Sequence, residues 1–252
     1  MINYFFRKFL SNDKLRNYYC FFRALILCKI FNKMKTVNNT SEHTWKNTLE
    51  SNQRAVHNKN ISLPKHPNAK RILDIGKSLS GAKARDLFKI INMKYNQKDF
   101  SRLKILSIGP RSEGEIYLVY SFGFEMKNIF AIDLFSYSSL VSLGDMHKLN
   151  FQDNYFDIII MGWCLAYSNN KVVALNEAKR VLKQDGLIAI GHTFAKKSDK
   201  EMISERGYIV GSPNQKISNE KELDLLIYNS GLKKFNSILL NGENKIAYGA
   251  TK

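Results

Sequence analysis

The sequence contains little cysteine and no long apolar run, and both absences exclude whole classes of protein. It has three cysteines, Cys20, Cys28 and Cys164, and no Cys-x-x-Cys pair. An odd number at such spacings predicts neither a disulfide framework nor a zinc site, and it favours a reducing, cytoplasmic location. No apolar stretch approaches the roughly 20 residues that a membrane-spanning helix needs. The sequence therefore predicts a protein without metal and without a transmembrane segment.

Acidic residues are also scarce relative to basic ones. The 252 residues include 39 Lys and Arg against 22 Asp and Glu, which gives a formal charge of +17. Such an excess attracts nucleic acid, anionic lipid or an acidic substrate. A background composition rich in lysine, with solvated lysines on most surfaces, explains the same charge equally well. The length and the 44% hydrophobic content are sufficient for one large α/β domain with an extension.

The first 35 residues are crowded with aromatic and basic side chains. They contain nine aromatic and eight basic residues but a single acid, Asp13. Apolar residues recur there at helical spacing: Leu15, Tyr18, Tyr19, Phe22, Ile26 and Ile30. One interpretation is an amphipathic helix that touches a membrane surface. The favoured alternative is a helix that packs on the main domain or covers its active-site mouth. Residues 36–66 are polar, so we expect an extension and linker over 1–66 and the main domain over 67–252.

From Leu103 onward the sequence alternates between apolar strands and amphipathic helices. The pattern predicts strands at 104–108, 128–132, 140–143, 156–161 and 186–191, and helices at 113–122, 171–183 and 219–230. Such alternation is typical of a doubly wound, mostly parallel sheet in an α/β protein. Near the C-terminus, two apolar runs flank Asn241-Gly242, which predicts a closing antiparallel hairpin. Residues 71–91 precede the first strand and are expected to be mostly helical.

The segment KILSIGPRSEGE, residues 104–115, is the centre of the candidate site. A buried strand runs into Gly109-Pro110, and Gly114 follows where a helix is expected to start. Glycines let backbone N–H groups approach a ligand closely, and the helix start favours a negatively charged group. Asp133 ends the next predicted strand, 24 residues after Gly109, where doubly wound folds place a ribose-binding acid.

The order of these parts resembles the class I S-adenosylmethionine-dependent methyltransferases. The resemblance rests on the glycine loop, on IDLFSYSS ending the second strand region, on GDMH and on GWCLAYSN, and it covers about residues 103–195. It implies a seven-stranded sheet with a C-terminal antiparallel hairpin and S-adenosylmethionine as cofactor. Relatives with a similar loop are bacterial, and several are associated with surface-glycan pathways. The resemblance therefore implies a small-molecule or glycan-type methyl acceptor.

The resemblance also implies a set of cofactor-binding residues. Asp133 is expected to bind the ribose and Asp145 the adenine amino group, while Leu134 and Met146 enclose the ring. The full expected set is Gly109, Arg111, Glu113, Gly114, Asp133, Leu134, Asp145, Met146 and Trp163. The common loop has an acid that holds the cofactor's ammonium group, but Ser107 stands at that position here. Glu113 or Glu115 could replace it, and Arg111 could hold the carboxylate.

No residue of the sequence is an obvious catalytic base. Relatives often have an acidic residue and a histidine where Ala166-Tyr167 stands. Tyr167 is a candidate for orienting the acceptor, although it could equally pack beneath the adenine. His192 is a candidate base, although a histidine at a strand end is more often structural. Two alternatives stay open. One is a nucleic-acid methyltransferase, suggested by the charge and by the aromatic and basic N-terminus. The other is a catalytically silent binding protein, suggested by Ser107 and by the absence of the acidic residue and histidine.

Overall fold

A computed structural model describes most of the chain. The described residues are 2–26, 35–36, 82–96, 99–110, 113–136, 138–168, 170–194, 198, 200–201, 216–240 and 244–252. Several expectations fall outside these ranges. They include the polar linker after residue 36, the segment from residue 71 to 81, the boundary between 66 and 67, and Arg111.

Seven strands form one mixed sheet in the described part of the chain. They are β2 (Ile105–Ile108), β3 (Ile129–Asp133), β5 (Ser142–Leu143), β6 (Phe156–Gly162), β7 (Leu182–Thr193), β8 (Lys233–Leu240) and β9 (Lys245–Thr251). The spatial order is β5-β3-β2-β6-β7-β9-β8, in which the first five are parallel and β9 runs antiparallel to both neighbours. The predicted fold class and the closing hairpin are confirmed.

Helices cover both faces of this sheet because its central strands are apolar on both sides. The helices are α3 (Ala82–Tyr95), α4 (Glu113–Ser121), α5 (Lys171–Val181) and α6 (Glu220–Asn229). One buried cluster joins α5 and α6 to side chains such as Ile159 and Ile190. A second joins α3 and α4 to Ile158 and Ile160, which point to the opposite face. This arrangement holds the carboxyl ends of the parallel strands at one edge.

The boundary between α5 and β7 differs from the prediction. The helix was expected to reach residue 183, but it ends at Val181 and β7 begins at Leu182. Leu182 pairs with Phe156 while Leu187 pairs with Ile158, so β7 carries an irregular bulge opposite the start of β6. The backbone of Leu182 is extended, with φ −75° and ψ 137°, because sheet pairing competes there with the last helical turn.

Two N-terminal helices form a hairpin that packs on α4. They are α1 (Ile2–Ser11) and α2 (Asp13–Leu25), and Asn12 caps α2 by accepting hydrogen bonds from the backbones of Lys14 and Leu15. Leu10 and Cys20 are buried against Tyr117 and Tyr120 of α4. The inward face of the hairpin therefore packs on the main domain, as the favoured interpretation of the sequence predicts. No helix in the described ranges is both long and apolar enough to cross a bilayer.

The N-terminal segment contacts the domain a second time through a short strand pair. Strand β1 (Lys35–Thr36) pairs antiparallel with β4 (Phe135–Ser136). β4 begins two residues after Asp133, so this pairing lies next to the carboxyl end of β3. The N-terminal segment thus reaches both α4 and the end of β3.

Candidate functional site

The glycine corner after β2 is built by backbone geometry and close packing. Gly109 has φ +66°, a left-handed conformation that glycine adopts without steric cost. Its N–H donates to the carbonyl of Ile132 at 2.8 Å, which joins the end of β2 to the end of β3. A Cβ at this position would lie 2.8 Å from the Cβ of Cys164. The corner therefore requires glycine both for its backbone and for its packing.

Glu115 occupies the space beside the serine that replaces the expected acid. The hydroxyl of Ser107 donates to the Glu115 carboxylate, and both side chains are buried. The other carboxylate oxygen lies 3.3 Å from where a Cβ on Gly162 would stand. Burial raises the pKa of the Cys164 thiol strongly, and the nearby Glu115 and Asp133 carboxylates raise it further. A carboxylate is thus present where the common loop would supply one, but it comes from α4.

Glu113 faces the N-terminal hairpin. Its carboxylate accepts hydrogen bonds from Arg23 at 2.7 and 3.0 Å and one from the hydroxyl of Ser138. The side chain of Glu113 is fully buried, and Gly114 beside it is buried as well. Of the two acids that the sequence left open, Glu115 is the one beside Ser107.

Asp133 and Asp145 lie at the same edge of the sheet as the glycine corner. Asp133 ends β3, and one of its carboxylate oxygens accepts from the backbone N–H of Leu134 at 2.7 Å. Its carbonyl accepts from the N–H of Gly144 at 3.0 Å, which brings the loop with Asp145 and Met146 beside it. Asp133, Leu134, Asp145 and Met146 are each partly exposed. The predicted residues on these two loops are therefore neighbours.

A histidine missed as a site residue connects the Asp145 loop to the loop after β6. The Asp145 carboxylate lies 2.9 Å from the backbone nitrogen of His147 and 2.7 Å from its Nδ1. The Nε2 of His147 lies 2.7 Å from the hydroxyl of Ser168. Burial alone would raise the pKa of Asp145, but the hydrogen bonds from His147 outweigh it and hold that pKa below its ordinary value. The spacing of aspartate and histidine in GDMH was the available sequence signal.

Trp163 has an unusual backbone at the end of β6. Its φ is +62°, a left-handed value that is costly for a bulky residue. The indole N–H donates to the Thr193 hydroxyl at 2.9 Å, and the ring lies over Gly191, where a Cβ would meet it at 2.4 Å. Tyr167 closes the short 3-10 helix Leu165–Tyr167 that follows, and it is half-buried. Both residues thus lie in the loop that follows the carboxyl end of β6.

His192 is buried in β7 and is held in its neutral form. Its Nε2 lies 3.4 Å from the Ile217 carbonyl, and its Nδ1 is buried without a hydrogen-bond partner. Burial, with a smaller contribution from the nearby Lys171, lowers its pKa to about 4. Lys171 is itself buried, which lowers its pKa to about 8, and its ammonium donates to the Ser168 carbonyl at 2.9 Å. Within the described residues, no group of three or more His, Cys, Asp or Glu side chains could hold a metal ion.

Comparison with known proteins agrees with this geometry. A family model described as "Methyltransferase domain" matches residues 119–190, which include Asp133, Asp145, Trp163 and Tyr167 but not the glycine corner. No curated protein sequence matches the chain.

Solved structures share the fold at low sequence identity. One is the 1,6-didemethyltoxoflavin-N1-methyltransferase of Burkholderia thailandensis, solved with 1,6-didemethyltoxoflavin and S-adenosylhomocysteine. It is 14% identical to this chain, with a TM-score of 0.55, and the match covers 87% of this chain and 94% of that one. The MccD protein is 13% identical with a TM-score of 0.50, over 68% and 99% of the two chains. A SAM-dependent methyltransferase from Aquifex aeolicus is 20% identical with a TM-score of 0.49, over 70% and 96%.

The strand order and the family match agree with one another. The match begins within α4 and ends within β7, so it spans the strands that carry most of the candidate site. The chain therefore has the fold of the class I, S-adenosylmethionine-dependent methyltransferases.

Proposed function

We propose that this chain binds S-adenosylmethionine at the carboxyl edge of β2, β3 and β6 and transfers its methyl group to a small-molecule or glycan-type acceptor. The observation that carries the proposal is the convergence of the Gly109 corner, Glu115, Asp133 and the Asp145 loop at that edge. We further propose that residues 67–252 form the methyltransferase domain.

Each part of the cofactor finds a suitable partner among these residues. A carboxylate accepts hydrogen bonds from both ribose hydroxyls, which is the role proposed for Asp133. Asp145 would accept from the adenine amino group, with Leu134 and Met146 on the ring faces. Glu115 is proposed to hold the ammonium group in place of the acid absent at Ser107, near the start of α4. When bound, the cofactor supplies an electrophilic methyl group to a positioned nucleophile.

Glu115 also bears on the alternative of a catalytically silent protein. That alternative was motivated by the serine at position 107, but a carboxylate is hydrogen-bonded to the Ser107 hydroxyl from α4. The roles of Tyr167 and His192 remain predictions. The buried, neutral His192 is a weak general base, because its pKa of about 4 lies far below neutral pH. Tyr167 is therefore the stronger candidate for orienting an acceptor.

The ion pairs within the chain favour a small acceptor over nucleic acid. Within the described part of the chain, five arginines are paired with acids of the same chain: Arg7, Arg16, Arg23, Arg85 and Arg180. Paired guanidinium groups contribute less to phosphate binding than free ones. A nucleic-acid methyltransferase would instead bind RNA with an affinity that falls steeply as salt rises.

The outer face of α2 supports a peripheral contact with anionic membrane. The exposed side chains on successive turns of that helix are Leu15, Tyr18, Phe22 and Ile26. The neighbouring Lys8 and Lys14 are exposed and positively charged, which suits a surface of anionic lipid. We propose that this stripe, together with Tyr4 and Phe5 of α1, touches the lipid surface while the inward face stays packed on α4.

Calorimetric titration with S-adenosylmethionine tests the central proposal. We expect the wild-type chain to bind, and Asp133→Ala to bind more weakly by about 1.5–3 kcal/mol, the scale of hydrogen bonds to a charged group. Asp86→Ala, which removes a partly exposed acid of α3 paired with Lys89, is the matched control and should bind like wild type. An unaltered affinity in Asp133→Ala would refute the role of that residue, and no binding by wild type would refute the function.

A further inference from the structure

The first turn of α4 holds two buried acidic residues that face different partners. Glu115 is bonded to Ser107 of β2, while Glu113 is bonded to Arg23 of α2. A buried charge is costly unless it is paired and hydrogen-bonded. The Glu113 carboxylate therefore needs the partner that the N-terminal hairpin supplies.

The ion pair between Arg23 and Glu113 is bidentate and lies beside two tyrosine rings. Arg23 donates through Nε and Nη2 to the two carboxylate oxygens at 2.7 and 3.0 Å, a bidentate arrangement that lysine cannot reproduce. The hydrogen bond to Glu113 raises the pKa of Arg23 far above its ordinary value. The guanidinium lies 5.7 Å from the ring centres of both Tyr19 and Tyr117. Arg23 is therefore fixed on the surface of α4.

The position of this pair links the hairpin to the cofactor site. Glu113 and Glu115 lie on the first turn of α4, so a shift of the helix start at Glu113 also moves the Glu115 carboxylate. The N-terminal segment reaches the site again where β1 pairs with β4, next to Asp133. Two elements proposed to bind cofactor, the start of α4 and the end of β3, are thus each contacted by the N-terminal segment, the first through Arg23 and the second through β1.

We propose that Arg23 is a positioning residue of the cofactor site and that docking of the α1–α2 hairpin is coupled to cofactor binding. This inference rests on the proposed function. Among the described residues, Arg23 is hydrogen-bonded to Glu113 and not to Glu115, Asp133 or Asp145, so it acts by holding the first turn of α4. Coupling of this kind is reciprocal, so bound cofactor would in turn hold the hairpin more firmly on α4.

Titration of Arg23→Met with S-adenosylmethionine and S-adenosylhomocysteine tests the coupling. We expect the dissociation constant for both to rise about tenfold, within the range of allosteric coupling. Arg23→Lys keeps the charge without the bidentate geometry and should lie between Arg23→Met and wild type. Arg23→Met combined with Glu113→Gln should bind better than Arg23→Met alone, because no buried negative charge at position 113 is then left without its guanidinium partner.

Arg7→Met is the matched control for these titrations. Arg7 belongs to the same hairpin, pairs with Glu125 at 3.0 Å and lies 4.5 Å from the Tyr120 ring centre, but it does not contact the first turn of α4. Its replacement weakens docking without releasing the Glu113 carboxylate, so it should raise the dissociation constant less than Arg23→Met does. Hydrogen exchange of residues 105–121 provides a second measurement, and it should be faster in Arg23→Met than in Arg7→Met.

The outcomes distinguish this inference from the function on which it rests. Failure of the wild-type chain to bind either ligand would overturn the proposed function. Wild-type binding together with unchanged affinity and unchanged hydrogen exchange in Arg23→Met would overturn the role of Arg23 alone. A lower thermal stability in Arg23→Met without a change in affinity for either ligand would mean that the ion pair is purely structural. That result would also overturn the inference.

Discussion

At the scale of single residues, the buried His192 makes stability depend on pH. Its pKa is lowered to about 4 in the folded chain, chiefly by burial, whereas the unfolded chain has the ordinary value of about 6.5. The unfolded state therefore binds the proton more tightly, and stability falls as pH drops from 6.5 towards 4. At pH 5 this one side chain should cost about 2 kcal/mol of the free energy of unfolding.

Urea denaturation at pH 7.5 and pH 5 measures this cost. His192→Leu removes the titrating group, so the variant should lose about 2 kcal/mol less than wild type between the two pH values. Acidic residues titrate in both proteins, and their effect cancels in the comparison. An equal loss in the two proteins would contradict the buried, neutral assignment of His192.

Residue roles at the site were only partly readable from the sequence. The positions of Gly109 and Asp133 at one edge followed from spacing, because parallel strands bring their carboxyl ends together. The position of Asp145 followed from the resemblance to the methyltransferases. The choice between Glu113 and Glu115 did not follow, since both lie in the first turn of α4. Their different directions depend on Arg23, which is 90 residues away in the sequence. No local pattern contains that information.

At the scale of elements, a buried tyrosine joins α6 to the closing hairpin. The Tyr248 hydroxyl of β9 donates to the Asp224 carboxylate at 2.7 Å, and Lys234 of β8 pairs with the same acid at 3.2 Å. We expect Tyr248→Phe to lower the free energy of unfolding by about 1 kcal/mol, the usual net value of one hydrogen bond. Tyr228→Phe, on the exposed face of α6, should have no measurable effect.

Chemical denaturation of Tyr248→Phe, Asp224→Ala and the double variant checks this prediction. The two residues share one hydrogen bond, so the double variant should be less destabilised than the sum of the single variants. Strict additivity would mean that the hydroxyl and the carboxylate do not interact in solution.

Element types were predicted better than their ends or their long-range pairing. The alternation of apolar runs predicted the parallel strands and the C-terminal hairpin, because periodicity is a local property. The start of β7 at Leu182 depends on pairing with Phe156, and the pairing of β1 with β4 joins segments about 100 residues apart. Both are set by tertiary contacts, which override local helix and strand preferences.

At the scale of the whole molecule, the N-terminal hairpin presents one face to the domain and the other to solvent. If the outer stripe touches lipid, Tyr18→Ser combined with Phe22→Ser should weaken binding to vesicles of phosphatidylglycerol and phosphatidylcholine by about tenfold, equivalent to about 1.4 kcal/mol. Leu225→Ser with Tyr228→Ser, two exposed residues of α6, is the matched control. Sedimentation of protein with vesicles measures the partition, and an equal partition of wild type and the α2 variant would refute the contact.

The indole of Trp163 over Gly191 has a consequence for how this fold can diverge. Because a Cβ at residue 191 would overlap the ring, the two positions cannot vary independently. A lineage that gains a side chain at 191 must first lose the ring at 163, and with it the bond to Thr193. The two residues are therefore expected to change together, and a homologue with a side chain at 191 would have a differently shaped carboxyl edge at β6 and β7.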